Sequence, residues 1–437
     1  MKNILKLGSI ALGLAVMPLT TLCYGQANRE GPPHIVIYWN ADTTNLQTLA
    51  SSAYTDIMVN FLTVDSSCQF NAKPRVSPGD LQALHDAGKT VLVSFGGSNV
   101  KSAAYKACAG NVPGLVDQIA NFVTSNGFDG VDIDFEDSGA LKSAAGYDGV
   151  QFLIDLTNGL YSKLPQGHNI ITHAPQTAYW FDSYKQAYVR IWQQTNNHIA
   201  WFNNQTYNNC LNKGNMDCHA ADKIQNYNFI AGHVPATKLV MGVPVSYCGT
   251  TDLSGKNCTG DGFIPLGSKD GDNMTSLIHQ LQQTYPNHFG GIMGWNYLLD
   301  MRDNSGQWGW GVYQELIENA NIWMAYDAQT GLCLDGDYNG HLSTKPCNAA
   351  GNRGSTQGWV FRRNAIVNVK TGQCLDSSDK GAAYTMPCNG GNYQNWQFFG
   401  DTIRDRRTER CLESDINGTV TTQTCSGANS QNWLPRE

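Results

Sequence analysis

The sequence predicts an α/β fold, a (β/α)8 barrel, followed by an all-β unit built from three repeats. Two observations carry this. From His34 to Tyr297 eight short β-rich runs alternate with polar or Gly-rich turns and helical stretches. After Asn321 that alternation stops, and a cysteine-marked pattern recurs three times.

The eight runs are 34–40, 56–64, 90–97, 130–136, 169–176, 199–208, 238–245 and 290–297. Helical patterns lie between them: Leu115, Ile119, Phe122 and Val123 share one face, and Gly127 is placed to end that helix. Eight strands alternating with helices over about 290 residues is what a barrel requires, with its chemistry at the C-terminal ends of the strands. A doubly wound open sheet is disfavoured, because no Gly-rich phosphate fingerprint follows the first strand.

Lys2 and Lys6, an apolar run from Leu7 to Leu19, and small residues at Gly25 and Ala27 give residues 1–25 the form of a secretory signal peptide, too short to span a bilayer. Secretion is therefore expected. Cleavage after Gly25 removes Cys23 and leaves twelve of the 13 cysteines, an even number suited to pairing. No CxxC spacing points to zinc, and neither a metal nor a cofactor is expected. A net charge of −7 excludes nucleic acid and anionic membrane as partners. The chain is read as a monomer.

The repeats begin "GLCLD", "GQCLD" and "ERCLE", and each has a second cysteine 14 residues on: Cys333/Cys347, Cys374/Cys388 and Cys411/Cys425. Each closes with Gln-x-Trp, at Gln357/Trp359, Gln394/Trp396 and Gln431/Trp433. Units this short cannot bury a face alone, so three pack around a shared core, with one disulfide per unit. The pattern resembles the ricin B-type lectin β-trefoil, which sets the expected domains at 32–320 and 323–437. In that family an acid after the first cysteine binds sugar hydroxyls and an aromatic before the second stacks on the ring. The resemblance implies Asp335 and Asp376 as sugar-binding acids, with Glu413 in the third unit. The stacking position departs, holding Lys345, Met386 and Gln423, and Tyr384 is a substitute in the second unit. In the barrel, proximity and order pair Cys68 with Cys108, Cys210 with Cys218, and Cys248 with Cys258.

The segment "GFDGVDIDFEDSG" places five carboxylates between Asp129 and Asp137, in a chain only 15% charged. On a strand Asp132, Asp134 and Glu136 share one face, about 7 Å apart per step, while Val131, Ile133 and Phe135 share the other. Carboxylates stacked in a barrel interior cannot all ionise cheaply, so one holds a proton near neutral pH. Glu136, nearest solvent, is the expected proton donor. Calcium also suits alternating acids, but its loop needs Gly near the sixth position, where Asp137 and Ser138 stand.

"DGVDIDFE" resembles the DxxDxDxE signature of glycoside hydrolase family 18, the chitinase family. Ser94, Gly96 and Gly97 match its third-strand SxGG, Gln205 to Asn208 its sixth-strand tyrosine motif, and Trp295 its eighth-strand tryptophan. The resemblance implies substrate-assisted retaining hydrolysis of β-1,4-linked N-acetylglucosamine polymers. Glu136 would be the general acid, Asp134 the acceptor of the acetamide N–H, Asp132 its partner in proton or hydrogen-bond exchange, and Tyr207 the donor to the acetamide oxygen. Trp295 would stack under the sugar, with Gln205, Asn208 and Gln176 as further substrate contacts. Asp129, out of register, either ties down a turn or joins the chemistry. The residues between the last two strands are too few for the insertion that walls the cleft in some members, so an open cleft acting within chains is expected. The alternatives are an endo-β-N-acetylglucosaminidase acting on the chitobiose core of N-glycans and a non-catalytic chitin-binding lectin.

Overall fold

The computed structural model describes residues 33–436 apart from 41–43, 196, 210–215, 250–257, 268–270, 286–288, 319–321, 349–354 and 363–364. The expected signal segment and Cys210 lie outside the described residues. The chain divides into two compact units at the Ile322/Trp323 junction.

The first unit has nine strands: β1 His34–Asn40, β2 Asp56–Val64, β3 Phe70–Ala72, β4 Thr90–Gly96, β5 Gly130–Asp134, β6 Ile170–His173, β7 Trp201–Gln205, β8 Leu239–Pro244 and β9 Gly291–Trp295. Eight are parallel in the order β1-β9-β8-β7-β6-β5-β4-β2, and pairing of β1 with β2 closes the ring; β3 is a short antiparallel addition to β2. Near-continuous burial of these runs follows from helices covering the outside while side chains fill the inside. Val36, Tyr38, Met58, Leu92, Trp201, Val240 and Met293 belong to the inner cluster. Val131, Ile133 and Phe135 turn outward into the larger core beneath the helices, as the alternation requires.

The helix Val112–Asn126 shows how the covering layer is specified. Asn111 accepts from the Gly114 amide at its start, and Gly127, at φ +83°, ends it in the left-handed conformation. Leu115, Ile119 and Val123 are fully buried, each contributing about 1.5–3 kcal/mol relative to an exposed side chain.

Strand starts agree with the sequence reading better than strand ends do. β5 stops at Asp134, β6 at His173 and β7 at Gln205, so Glu136, Gln176 and Tyr207 stand just beyond the pairing. The cause is visible beside β5: β4 leaves the sheet through Gly96 (φ +118°) and Gly97 (φ +87°), removing the neighbour that residues 135 and 136 would pair with.

The second unit consists of three four-stranded antiparallel sheets, consistent with a trefoil. The Gln-x-Trp motifs build it. Trp359, Trp396 and Trp433 are buried, and their indole N–H groups donate to the carbonyls of Leu334, Leu375 and Leu412 at 3.0, 2.9 and 2.9 Å. Each Gln side chain grips the turn before it: the amides donate to Pro346, Pro387 and Thr424 carbonyls, and the oxygens accept from Asn348, Asn389 and Ser426 amides. Cys333–Cys347, Cys374–Cys388 and Cys411–Cys425 are bonded, one pair per repeat, and Cys68–Cys108 and Cys248–Cys258 are bonded in the first unit. With a closed loop of this length, replacing Cys374 and Cys388 by Ser is expected to lower the unfolding free energy of the second unit by about 3 kcal/mol, read from denaturant titration followed by tryptophan fluorescence.

Candidate active site

The acids of β5 enter the barrel interior at its C-terminal end. Asp132 is fully buried, Asp134 is 3% exposed and Glu136 is half-buried. Asp132 Oδ2 accepts from the Tyr38 hydroxyl on β1 and the Ser94 hydroxyl on β4, both at 2.8 Å. Its Oδ1 accepts from the Thr172 hydroxyl on β6 at 2.6 Å and the Asn203 amide on β7 at 3.2 Å. Both oxygens are thus saturated by donors from four strands.

Asp134 has one side-chain donor, the Gln205 amide at 3.0 Å, which also donates to the Ala174 carbonyl at 2.9 Å. The Gln176 amide donates to Glu136 Oε2 at 3.3 Å, while its own buried Oε1 has no partner. Gly96 holds the backbone under these acids. Its neighbour's amide, Gly97 N–H, donates to the Asp134 carbonyl at 2.8 Å, and a Cβ on Gly96 would sit 2.1 Å from that same oxygen. Close backbone approach is what the geometry requires of Gly96.

Tyr207 lies in the inner cluster with Tyr38 and Trp295, and its hydroxyl makes no hydrogen bond among the described residues. Its backbone is fixed from behind. The Asn209 amide donates to the Tyr207 carbonyl at 2.9 Å and to Asp217 Oδ2 at 2.8 Å, and the buried Lys223 ammonium donates to the Thr206 and Asp217 carbonyls. Burial pulls Lys223 down to about 8, with Asp217 opposing. Trp295, at the end of β9, stands 5.5 Å from the Tyr38 ring and 6.2 Å, stacked, from Phe61.

A family model described as glycosyl hydrolases family 18 matches residues 34–338, and a ricin-type beta-trefoil lectin domain model matches 323–433. The chain belongs to glycosyl hydrolase family 18. Chitinase D of Niallia circulans is 28% identical over 202 residues, covering 41% of this chain and 38% of that protein, so the match spans well under half the length of that curated relative. The crystal structure of a family 18 chitinase from Pseudoalteromonas aurantia shares 28% identity with a TM-score of 0.56, covering 65% of this chain and all of that one. A chitinase from Bacteroides thetaiotaomicron, at 17% identity and a TM-score of 0.48, covers 66% and 97%.

Set against the sequence reading of the family 18 site, the structure brings together Asp132, Asp134, Glu136, Gln176, Gln205, Tyr207 and Trp295. Asn208 is different: at φ +63° it shapes the turn after Tyr207, and no described hydrogen bond ties it to the acids. Asp129 ties down the start of β4, accepting from the Val91 amide at 2.7 Å and facing His85 Nε2 at 3.1 Å. Sequence reasoning missed Tyr38, Thr172 and Asn203. Their signal is polarity at positions of β1, β6 and β7 that the strand alternation turns inward. Burial raises both buried aspartates, but Asp132 has four hydrogen bonds acting against it, whereas Asp134 is pushed well above the carboxylate range by burial and then by the charges of Glu136 and Asp132. Of the two buried aspartates, Asp134 is therefore the one that favours its proton.

The sign of this shift gives a test. An acid whose pKa rises on folding destabilises the native state increasingly as pH climbs above its unfolded value near 4. Asp134→Asn is accordingly expected to unfold at a higher temperature than the parent at pH 7, with the gap closing toward pH 4, measured by calorimetry across that range.

Proposed function

We propose that the protein is a secreted retaining endo-chitinase that hydrolyses β-1,4-linked N-acetylglucosamine polymers with help from the substrate's own acetamide. One observation carries the reading: the carboxyl groups of Asp134 and Glu136 stand at a barrel mouth beside an unengaged tyrosine hydroxyl and an aromatic floor. In this scheme the acetamide N–H of the sugar donates to Asp134 and stabilises its anion, which sends its proton to Glu136. Glu136 gives that proton to the glycosidic oxygen as the C–O bond breaks, and the acetamide carbonyl oxygen attacks C1 from the opposite face to form an oxazolinium ion. Tyr207 donates to that carbonyl oxygen and orients it. Asp134, now anionic, balances the positive charge that grows on the nitrogen. Water then opens the ring while Glu136 takes its proton, so the anomeric configuration is retained.

Between β8 and β9 the described residues form one helix, Met274–Thr284, and the Cys248–Cys258 bridge, with no added sheet, which supports action within chains. The five described disulfides support an extracellular setting. Glu136→Gln is expected to cut hydrolysis of soluble chitin oligomers by about 10²–10⁴ in kcat, and the parent's first product should be the β-anomer by NMR. Undiminished activity in Glu136→Gln, or an α-anomer as the parent's first product, overturns this scheme.

The trefoil supports binding at the second repeat. Asp335 Oδ1 accepts from Lys345 at 2.7 Å and its Oδ2 from Thr356 at 3.0 Å, and Glu413 accepts from Gln431 at 2.6 Å, so these acids serve their own chain. Asp376 instead stands directly across from Tyr384 in the paired strands, and the tyrosine hydroxyl donates to the Ser377 carbonyl at 3.3 Å. Asp376→Ala should therefore weaken retention on a chitin column while Asp335→Ala leaves it within twofold of the parent.

A further inference from the structure

Lys223, on the helix Ala220–Ala231, is fully buried, and no step of the scheme above uses its charge. Burying an ammonium costs several kcal/mol, and that cost is tolerated only where acceptors surround it. Here the acceptors are backbone: Nζ donates to the Thr206 carbonyl and, at 3.0 Å, to the Asp217 carbonyl. Burial pulls the group down to about 8 against the charges of Asp217, Asp261, Asp272 and Asp222, so it remains a cation at neutral pH. A methionine would fill a similar volume without the cost of a buried charge, so packing does not account for the residue.

What the ammonium grips is the peptide that leads into Tyr207. Thr206 is also held from β8, where its amide and its hydroxyl both donate to the Gly242 carbonyl, at 3.0 and 2.5 Å. The Tyr207 carbonyl accepts from the buried Asn209 amide at 2.9 Å, and that amide is braced in turn by Asp217 Oδ2 at 2.8 Å. Gly262 presses on the same backbone: a Cβ there would lie 2.8 Å from Tyr207 Cα and 2.9 Å from Tyr207 Cβ. The tyrosine is therefore fixed through its main chain, while its hydroxyl, at the far end of a buried side chain, has no partner among the described residues to aim it. Groups that act on a substrate have to be held to within about 0.5 Å, and a displacement of about 1 Å can cost about 100-fold in rate.

We infer that Lys223 and Asn209 are positioning residues for the hydrolysis, which aim the Tyr207 hydroxyl at the acetamide oxygen by clamping the two peptide groups that flank Tyr207 Cα. The inference rests on the proposed function and adds to it how the tyrosine is set before the sugar arrives. The test is a double-mutant cycle on the full chain with the N-acetylglucosamine hexamer as substrate. Lys223→Met should lower kcat about tenfold in the parent with KM within about twofold, yet lower it less than about twofold once Tyr207 is Phe, because the hydroxyl being aimed is gone. A merely structural loss lowers kcat equally in both backgrounds, and that result overturns the inference, as does an unchanged kcat in the parent background. Where Lys223→Met does not fold, Asn209→Ala, which leaves the ammonium and its acceptors in place, goes through the same cycle and decides by the same outcomes. If the parent does not cleave the hexamer the catalytic reading fails separately, and the clamp is then read by amide hydrogen exchange. Faster exchange confined to the segment around Tyr207 in Lys223→Met or Asn209→Ala sustains it; exchange unchanged there, or faster throughout the barrel, removes it.

Discussion

The carboxylate of Asp132 is the point on which the barrel interior depends. Three hydroxyls and an amide, carried by β1, β4, β6 and β7, converge on two oxygens carried by β5, so one side chain links five of the eight strands. Isolated burial of a carboxylate is among the more costly events in folding, and it is tolerated where donors replace the lost water. Here every donor comes from a different strand, so the bonds form together only when the ring has closed in register. Removing any one of them leaves a buried acceptor short of a partner, which costs more than the bond itself contributes.

That saturation shapes what happens one step up the strand. With Asp132 occupied, the charge it keeps is felt by Asp134, which has a single side-chain donor, lies almost as deep, and faces Glu136 on its other side. The result is an acid that favours its proton and has a single side-chain donor for its two oxygens. A ligand N–H aimed at Asp134 supplies what the protein leaves out. The hub is thus structural in its contacts and electrostatic in its effect, and the two cannot be separated by deleting Asp132 alone.

Much of this was legible in the sequence, and the limits have physical causes. The eight strands follow from the alternation of β-rich runs with helical stretches, and the inward set Asp132, Asp134 and Glu136 from period-two alternation, which is a local property. The strand ends were overrun at Glu136, Gln176 and Tyr207, because pairing ends where a neighbour departs, and the departure of β4 at Gly96 and Gly97 is invisible from β5 itself. Tyr38, Thr172 and Asn203 escaped for a related reason: each looks like an ordinary strand residue until closure places it opposite the same carboxylate. The difference between Asp132 and Asp134 was not legible either, because the number of donors each acid receives depends on residues far apart in the chain. In the second unit the repeat spacing foretold the Trp and Gln contacts, since each repeat carries its own copy. The turn-capping Asp327, Asn368 and Asp405, which accept from amides two and three residues ahead, are equally periodic and were overlooked because their residue type changes between copies.

The same count of donors distinguishes acids across both units. Asp132, Asp335 and Glu413 have oxygens filled by side chains of their own chain: four donors in the first case, Lys345 and Thr356 in the second, Gln431 in the third. Asp134 and Asp376 are alike in kind but differ in company, with one amide donating to the former and Tyr384 standing across the paired strands from the latter. A motif that records only residue type scores all five alike. What separates these carboxylates is how far the fold has already supplied their hydrogen bonds, and Lys345, at the position where the sequence resemblance implies an aromatic ring, is bonded to Asp335.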